Sequence, residues 1–225
     1  MSDNSSAVLR QYAKLTEFLG AALGPDYEIA LHDLTDKNRS IIAIANGYIS
    51  GREVGAPLTN MALGVLKDES YEWQDYRLHY SGLSAAGNAL RSSTMFIKED
   101  GKLIGMLCIN FDDSRFQSFA QQVLTLCHPN QFFQALDRPE EAPEDLPRPE
   151  TFRNSTDAVT MDAIAHELKR LGVPAERLTS AERLEVIAAL EESGIFLLKG
   201  AVKDAAAGLG CSQASVYRYL SQIRK

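Results

Sequence analysis

The first part of the chain alternates between helical and strand-like hydrophobic patterns. Apolar residues at three- and four-residue steps begin at Leu9 and stop before Gly24-Pro25, which predicts a helix at about 6–23. Apolar runs, most of them bounded by turn-forming residues, predict strands, and two further helical patterns interrupt them. The strands are expected at 27–34, 40–45, 77–83, 89–100 and 102–112, and the helices at 58–68 and 114–127. Five antiparallel strands with interspersed helices predict an α+β domain with one sheet face covered.

A change in composition divides the chain. The segment PEEAPEDLPRPE at 139–150 contains four prolines and five acids in twelve residues. Proline favours extended geometry and the acids repel one another, so the segment is predicted to be a solvated, semi-extended linker. The chain is therefore divided into an N-terminal domain at 1–128, a linker at 129–156 and a C-terminal domain at 157–225.

The C-terminal domain shows only helical patterns. A helix at 155–172 is predicted to end at Gly172, and Thr179 with Glu182 forms a capping box that starts a second helix, which ends at Ser193-Gly194. The remaining segment is LLKGAVKDAAAGLGCSQASVYRYLSQIRK. Its pattern predicts a helix from Val202 to Leu209, a turn, and a further helix that runs to about Arg224.

These last two helices have the features of a helix-turn-helix motif. A small residue, Ala206, allows the helices to approach closely, Gly210 supplies the positive φ of a tight turn, and Ser212 caps the second helix. The residues expected in the shared core are Leu209, Cys211, Val216 and Leu220. In such motifs the amino-terminal half of the second helix meets base edges in the major groove.

With that core assigned, the outward side chains suit DNA. Glutamine pairs with adenine, alanine contacts the thymine methyl group, and arginine binds guanine or phosphate. The predicted base-reading residues are Gln213, Ala214, Tyr217 and Arg218. The predicted phosphate contacts are Ser212, Ser215 and Tyr219, with general attraction from Lys199, Lys203, Arg224 and Lys225.

The charge distribution agrees with this assignment. The whole chain has a net charge of −7, but residues 199–225 contain five Lys/Arg and one Asp/Glu, a balance of +4. Residues 1–128 and 129–198 have balances of −4 and −7. A basic terminal segment on an acidic body is compatible with local binding to a polyanion.

Composition places the chain among globular proteins. Its 225 residues suffice for one large or two modest domains, with 45% hydrophobic and 24% charged residues. No apolar run reaches the roughly 18 residues of a membrane span, and the start MSDNSSAVLRQ lacks signal-peptide features, so we expect a cytoplasmic protein. Three scattered cysteines favour buried thiols over disulfides or a zinc site.

Several segments resemble those of one family. LGCSQASVYRYL with the preceding FLLKGAVKDAA resembles the C-terminal helix-turn-helix of the YheO-like regulators, which include the D-arginine utilisation repressor. LHDL, IANGYISGREVGAPLT and LRSSTMFIKEDGKLIGMLCINFD resemble the PAS-like sensor domain of that family, in the same order. The resemblance implies a bacterial transcriptional regulator whose PAS-like domain senses a signal or mediates dimerisation. The segment AERLEVIAALEESGIF and the acidic linker depart from the family's pattern, which leaves the effector and the operator open.

Polar residues beside the apolar strands are candidates to line a pocket in the sensor domain. Carboxylate, amide and hydroxyl groups suit a small polar effector such as an amino acid. Asx side chains at strand ends also satisfy turns, so Asp33, Asn46 and Asn110 have a structural alternative. The candidates are His32, Asp33, Asn46, Arg52, Arg91, Ser92, Ser93 and Asn110.

Catalysis is not indicated. Ser92 and Ser93 with His32 and His79 provide hydrolase residue types, but the chain has no GxSxG, GxGxxG, Walker or HExxH motif. Haem ligation by His32 or His79 and flavin chemistry at Cys108 are not supported either. We therefore predict a protein without enzymatic activity, cofactor or metal.

DNA binding through one short helix predicts a homodimer, because one recognition helix covers only a few base pairs. Helix 1 and the sensor sheet are the expected dimer surfaces. Repression is expected from the family resemblance alone, and the regulator is either ligand-responsive or constitutive. The alternative is a protein-interaction adaptor whose helical tail binds a partner instead of DNA, with little dependence on salt.

Overall fold

The computed structural model describes residues 7–127 and 150–224. A curled sheet with helices forms the N-terminal region and helices alone form the C-terminal region, which confirms the predicted α+β class. The first elements are α1 (Ala7–Leu23), β1 (Tyr27–Asp33), β2 (Ile41–Ala45), α2 (Asn60–Asp68), β3 (Tyr76–Leu83), β4 (Ala89–Glu99), β5 (Lys102–Phe111) and α3 (Ser114–Cys127). They are followed by β6 (Glu150–Thr151), α4 (Thr156–Leu171), α5 (Ser180–Glu192), α6 (Ala201–Gly208) and α7 (Gln213–Ile223).

The six strands form one sheet in the order β2-β1-β5-β4-β3-β6. All neighbouring strands are antiparallel except β3 and β6, which are parallel. The register places Glu28 of β1 opposite Asn110 of β5, and Asn110 opposite Ser92 of β4. Because side chains alternate between the faces of a strand, these three residues form a polar row on one face of the sheet.

The other face of the sheet is apolar and packs on α1. Ile29, Leu31 and Leu107 contact Leu9 and Ala13 in one hydrophobic cluster, and all five side chains are buried. The three- and four-residue spacing of apolar residues in α1 places one side of the helix on the sheet.

The polar-row face leads into a core that both regions share. Ala30, Phe96 and Met106 on the sheet belong to one buried cluster with Leu63 of α2 and Ile187 of α5. The same cluster continues through α4 and α6 into α7. Helix α2 therefore packs between the sheet and the C-terminal helices, and the two regions have one continuous hydrophobic core.

The segment predicted as a linker at 129–156 is in part structured. Residues up to 149 lie outside the described residues, but β6 pairs with β3, and Phe152 is buried beside it. Glu150, expected to be a solvated acid, is only 2% exposed. A two-residue strand next to prolines has no hydrophobic pattern of its own, so only its pairing with a distant strand reveals it.

The C-terminal helices begin and end at the predicted signals. Thr179 and Glu182 form the expected capping box at the start of α5, and Gly172 ends α4 with a φ of 67°. The left-handed conformation of Gly172 is favourable because glycine lacks a Cβ atom. Of the described helices, none is long and apolar enough to cross a membrane.

Candidate functional site

The helix-turn-helix motif consists of α6, a short turn and α7. Gly210 in the turn has a φ of +59°, the left-handed conformation that the sequence predicted. The Cys211 amide donates to the Ala206 carbonyl over 2.9 Å, which closes the end of α6. Ser212 caps α7, since its Oγ accepts a hydrogen bond from the Ser215 amide at 3.2 Å. These bonds fix the direction in which α7 leaves the turn.

The inner face of the motif is apolar, as the sequence predicted. Ala206, Leu209, Val216 and Leu220 are buried, and the half-buried Cys211 packs against the same core. Ala206 is 5% exposed, so a larger side chain at this position would push the two helices apart. The packing leaves one side of α7 for other contacts.

The opposite side of α7 is open to solvent. Its predicted base-reading residues, Gln213, Ala214, Tyr217 and Arg218, are all exposed, and Tyr217 is 60% exposed. The Arg218 guanidinium lies 5.4 Å from the centre of the Tyr219 ring. An amide, a methyl group, a phenol and a guanidinium therefore line the amino-terminal half of α7.

The predicted phosphate contacts divide into two groups. Ser212, Lys199 and Lys203 are exposed, and Ser215 is half-buried with its hydroxyl 3.0 Å from that of Ser212. The prediction for Tyr219 is wrong, because this residue is 7% exposed and belongs to the core of the motif.

Arg224, the last predicted basic contact that the structure describes, has a structural partner. Its Nε and Nη2 donate to the Glu191 carboxylate of α5 over 3.0 and 3.2 Å. Glu191 also pairs with Lys67 of α2 at 3.2 Å. Arg224 therefore ties the end of α7 to α5 and α2, and Lys225 lies outside the described residues.

Five of the eight candidate ligand residues do not join the polar row of Glu28, Asn110 and Ser92. Asp33 Oδ1 accepts from the Thr35 amide and hydroxyl, which is the structural alternative considered for it. Asn46 donates to the Gly20, Gly24 and Tyr27 carbonyls in a similarly structural role. The remaining three are His32, 2.9 Å from the Ser40 hydroxyl; the half-buried Ser93; and the exposed Arg91, 5.1 Å from the Phe111 ring centre.

The other three candidates, Arg52, Ser92 and Asn110, belong to a buried polar cluster. We use this name for six residues on and above the polar-row face of the sheet: Glu28, Ser50, Arg52, Ser92, Asn110 and Glu150. Asn110 Nδ2 donates to Glu28 Oε1 at 2.8 Å, and the Ser50 amide donates to Glu28 Oε2 at 3.1 Å. Arg52 Nη2 donates to the Pro57 carbonyl. Each of these six residues is at most 3% exposed.

Sequence reasoning missed Glu28, Ser50 and Glu150. A glutamate within an apolar strand, as in YEIALHDL, is itself a signal, because buried carboxylates are rare unless they are paired. Glu150 gave no such signal, since it lies among prolines and other acids.

Five buried atoms of this cluster have no hydrogen bond of good geometry among the described residues, although the Ser50 hydroxyl lies near Glu28 and the Tyr80 hydroxyl near Glu150. Buried polar groups normally have partners, and each exception requires an explanation. The five atoms are Ser50 Oγ, Arg52 Nε, Ser92 Oγ, Asn110 Oδ1 and Glu150 Oε2. They combine donors and acceptors, so a polar molecule is able to bind to several of them at once.

Burial dominates the electrostatics of this face. It raises the pKa of Glu28 and of Glu150, and it lowers the pKa of Arg52 despite the nearby carboxylates. It also holds the pKa of His32 well below its usual value of 6.5. Burial raises the pKa of Cys108 to about 12, so this thiol is not a nucleophile at neutral pH.

Comparison with known proteins adds to this description. Residues 2–128 match the YheO-like PAS domain and residues 160–221 match an HTH domain. The protein YheO of Escherichia coli K12, described as uncharacterized, is 28% identical over 218 residues, which cover 96% of this chain and 85% of YheO. The transcriptional regulator DauR of Pseudomonas aeruginosa is 24% identical over 229 residues, covering 100% of this chain and 99% of DauR. An uncharacterized protein of Haemophilus influenzae is 26% identical, with coverage of 100% and 95%.

The family match extends over more than half of the chain, and the matched ranges coincide with the sheet region and the terminal helices. The resemblance inferred from the sequence is confirmed. The chain therefore belongs to the family of proteins with a YheO-like PAS domain, to which a C-terminal helix-turn-helix domain is joined.

Proposed function

We propose that this protein is a transcriptional regulator that binds operator DNA through α7. The observation that carries the proposal is the exposed face of Gln213, Ala214, Tyr217 and Arg218 on a helix whose turn and inner core are those of a helix-turn-helix. The match to an HTH domain and the likeness to a transcriptional regulator support it. Because DNA is the proposed partner, we place the protein in the cytoplasm.

The proposed contacts follow from the chemistry of the exposed face. Arg218 and Gln213 are suited to bidentate hydrogen bonds with guanine and adenine, and Ala214 to the thymine methyl group. Ser212 at the start of α7 is suited to a phosphate, since a helix N-terminus favours negative charge. Lys199 and Lys203 are exposed and add general attraction to the DNA backbone.

We propose that the regulator acts as a homodimer. Two recognition helices that read half-sites about 34 Å apart provide the specificity that one helix lacks. Exposed apolar side chains on α1 and α3 support self-association: Phe18 is 64% exposed, Phe116 58% and Phe119 67%. Analytical ultracentrifugation at micromolar concentration tests this proposal, and a stable monomer there would contradict it.

The first experiment selects duplexes from a random-sequence pool with the purified protein and sequences the bound fraction. We expect a two-fold-symmetric site. Its affinity is then measured by fluorescence anisotropy from about 50 to about 200 mM salt, where a protein that contacts phosphates loses affinity steeply. A flat salt response, or no enriched site, would favour the protein-interaction adaptor.

Variants of α7 test which of its residues contact the operator. Arg218→Ala and Tyr217→Ala are expected to weaken operator binding by about 1–3 kcal/mol each without changing the fold, because both side chains point into solvent. Gln222→Ala, exposed near the other end of α7, is the matched control and should bind as the wild type does. Wild-type affinity in both test variants would refute the assignment of α7.

We further propose that the regulator is a repressor that responds to a small polar effector. The family resemblance supports repression, and the buried polar cluster supports an effector. A reporter gene whose promoter overlaps the selected site should lose expression when the protein is present. Increased expression from the same promoter would identify an activator.

A further inference from the structure

The buried polar cluster combines deep burial with polar atoms that lack partners. Arg52, Ser92, Asn110 and Glu150 are between 0% and 3% exposed, and each has one polar atom without a partner among the described residues. Leaving a buried donor or acceptor unpaired destabilises a fold, so four adjacent cases are not expected in a site that only holds the sheet together.

These residues lie close together although they are distant in the sequence. Ser92 and Asn110 are paired across β4 and β5. Gly82 of β3 lies opposite Glu150, and a Cβ atom on Gly82 would lie 2.8 Å from the Phe152 ring and 2.9 Å from the Ser92 hydroxyl. Glycine at this position therefore allows the Ser92 hydroxyl and the Phe152 ring to pack directly against β3, close to Glu150.

The charges of the cluster select the class of ligand. Glu28 and Glu150 provide two carboxyl groups and Arg52 provides one guanidinium. Burial raises the pKa of both carboxyl groups, so the state in which both are ionised, which has one excess negative charge, needs a further cation. A cationic group on the ligand balances this charge, and an unbalanced buried charge is strongly unfavourable. The unpaired Glu150 Oε2 and Asn110 Oδ1 accept hydrogen bonds, whereas Arg52 Nε donates one.

We propose that the buried polar cluster binds a small amine that also has a hydrogen-bond acceptor, and that this ligand is the effector of the regulator. The ammonium group donates to Glu150 Oε2 and Asn110 Oδ1, and the acceptor binds Arg52 Nε. This inference rests on the proposed function, because an effector has meaning only for a protein that binds DNA.

The position of Glu150 connects the site to the DNA-binding helices. Glu150 Oε1 accepts a hydrogen bond from the Thr59 hydroxyl at 2.6 Å, and Thr59 is the N-cap of α2. The neighbouring Thr151 amide donates to Asn60 in the first turn of α2 at 2.7 Å. A ligand that draws Glu150 toward its ammonium group thereby acts on the start of α2.

Helix α2 in turn is in close contact with the C-terminal helices. A Cβ atom on Gly194, just after α5, would lie 2.7 Å from the Leu63 carbonyl of α2, so the two backbones nearly touch. Lys67, near the end of α2, pairs with Glu191, which also binds Arg224 just beyond the end of α7. Displacement of α2 therefore changes the contacts of Glu191 that hold the end of α7 in place.

The experiment measures the thermal stability of the full chain with a defined panel of compounds. The panel contains monoamines and diamines of two to five carbons, the standard amino acids, and the alcohol and carboxylic acid of each chain length. A ligand that binds only the folded protein raises its melting temperature with concentration. We expect at least one amine with an acceptor group to do so, and no alcohol or carboxylic acid. Stabilisation by the acids or alcohols instead, or by no compound, would overturn the proposal.

Variants locate the binding. Glu150→Gln keeps the shape of the side chain but removes its charge, so we expect its calorimetric Kd for the amine to rise at least tenfold. Ser92→Ala removes one unpaired hydroxyl from the site and tests it without altering a charge. Glu53→Gln is the matched control, since Glu53 is exposed in the same loop as Arg52. Unchanged affinity in Glu150→Gln and Ser92→Ala, with both folded by circular dichroism, would place the amine elsewhere.

The effector role has its own test. The Kd of the amine is measured with and without the selected operator duplex, and the Kd of the duplex with and without the amine. Coupling is reciprocal, so both ratios must agree. Equal values in all cases would overturn the effector role. If the duplex binds in an Arg218-dependent manner and no compound binds, the ligand inference fails alone, whereas amine binding without any DNA binding would contradict the proposed function.

Discussion

Asn38 and Lys199 exchange two hydrogen bonds across the contact between the sheet region and the C-terminal helices. Asn38 Nδ2 donates to the Lys199 carbonyl and the Lys199 amide donates to Asn38 Oδ1, each over 3.0 Å. Lys199 precedes α6 and is one of the proposed phosphate contacts. The sheet region thus determines the backbone position of a residue that faces DNA in our proposal.

Replacement of Asn38 tests this contact. Asn38→Ala removes both hydrogen bonds, and we expect the free energy of unfolding to fall by about 1–2 kcal/mol. The Lys199 amide should then exchange its hydrogen faster than in the wild type. Urea unfolding and hydrogen-exchange mass spectrometry measure the two effects, and Asn88→Ala, an exposed asparagine in the loop between β3 and β4, provides a control. Unchanged protection of Lys199 in Asn38→Ala would show that its amide does not depend on Asn38.

The shared core predicts that the described regions unfold together. Leu63 of α2 is 0% exposed and lies in a cluster that joins the sheet to α5 and α7. Leu63→Ala should lower the free energy of unfolding by about 2–5 kcal/mol, since it deletes buried methyl groups and leaves a cavity. Pulse hydrogen exchange in urea should give the same midpoint for peptides of both regions. Two separate midpoints in the wild type would show that the regions fold independently.

The matched control for this prediction is Leu15→Ala on α1. Leu15 is 36% exposed, so the same substitution removes fewer contacts and should cost about 1 kcal/mol or less. A loss as large as that of Leu63→Ala would mean that effects on the unfolded state, and not the shared core, dominate both values.

The sequence predicted local structure well because local patterns specify it. Helix α7 has its capping serine, its preceding glycine and its apolar spacing within one short segment, and all three are found in the structure. The eight pocket candidates show the limit of this approach. Each lies in or beside a strand with suitable chemistry, but only pairing between strands decides that Ser92 and Asn110 meet whereas Arg91 faces elsewhere.

Long-range contacts explain what the sequence could not reveal. Glu150 and Thr59 are separated by 91 residues, and the pattern around Glu150 is typical of a solvated linker. The interpretation of two domains joined by a linker also gave no indication of the shared core, because apolar residues on α2 serve equally well to cover a sheet. Burial of α2 against α5 is a property of the assembled chain, which local periodicity does not encode.

Gly210 provides a test of the turn. Its φ is +59°, and a Cβ atom there would meet nothing within 4 Å, so a substitution is opposed by backbone strain and not by a clash. Gly210→Val is expected to destabilise the protein by at least about 1–2 kcal/mol and to abolish operator binding, since β-branched residues disfavour positive φ. Chemical unfolding and anisotropy measure the two quantities. Normal DNA binding by this variant would contradict the turn geometry.

Gly64 is the control for that substitution. It lies inside α2 with no atom within 4 Å of a prospective Cβ, and its φ is not positive. Gly64→Ala should therefore stabilise the protein by roughly 0.5–1 kcal/mol, because alanine favours the helix. Destabilisation by Gly64→Ala would mean that α2 needs the space beside this residue.

His32 makes the stability depend on pH. The residue is 1% exposed and bound to the Ser40 hydroxyl, and burial holds its pKa well below 6.5. Below pH 6.5, His32 becomes protonated in the unfolded chain but remains neutral in the folded chain. His32 therefore contributes stability that is present above pH 6.5 and is lost on acidification by about 1 kcal/mol per pH unit, until the lowered pKa of the folded state is reached.

Comparison of wild type with His32→Gln isolates this contribution. Glutamine keeps a hydrogen-bonding group near Ser40 but does not titrate, so the loss of unfolding free energy between pH 7.5 and 5.5 should be about 1 kcal/mol smaller in the variant. Glu28 and Glu150 have raised pKa values and contribute in the opposite sense, but they are present in both proteins and cancel in the difference. His79→Asn, at an exposed position with a φ of 56° that asparagine tolerates, is the control. Equal losses in wild type and His32→Gln would mean that folded His32 accepts the proton, which requires the polar-row face of the sheet to open to water.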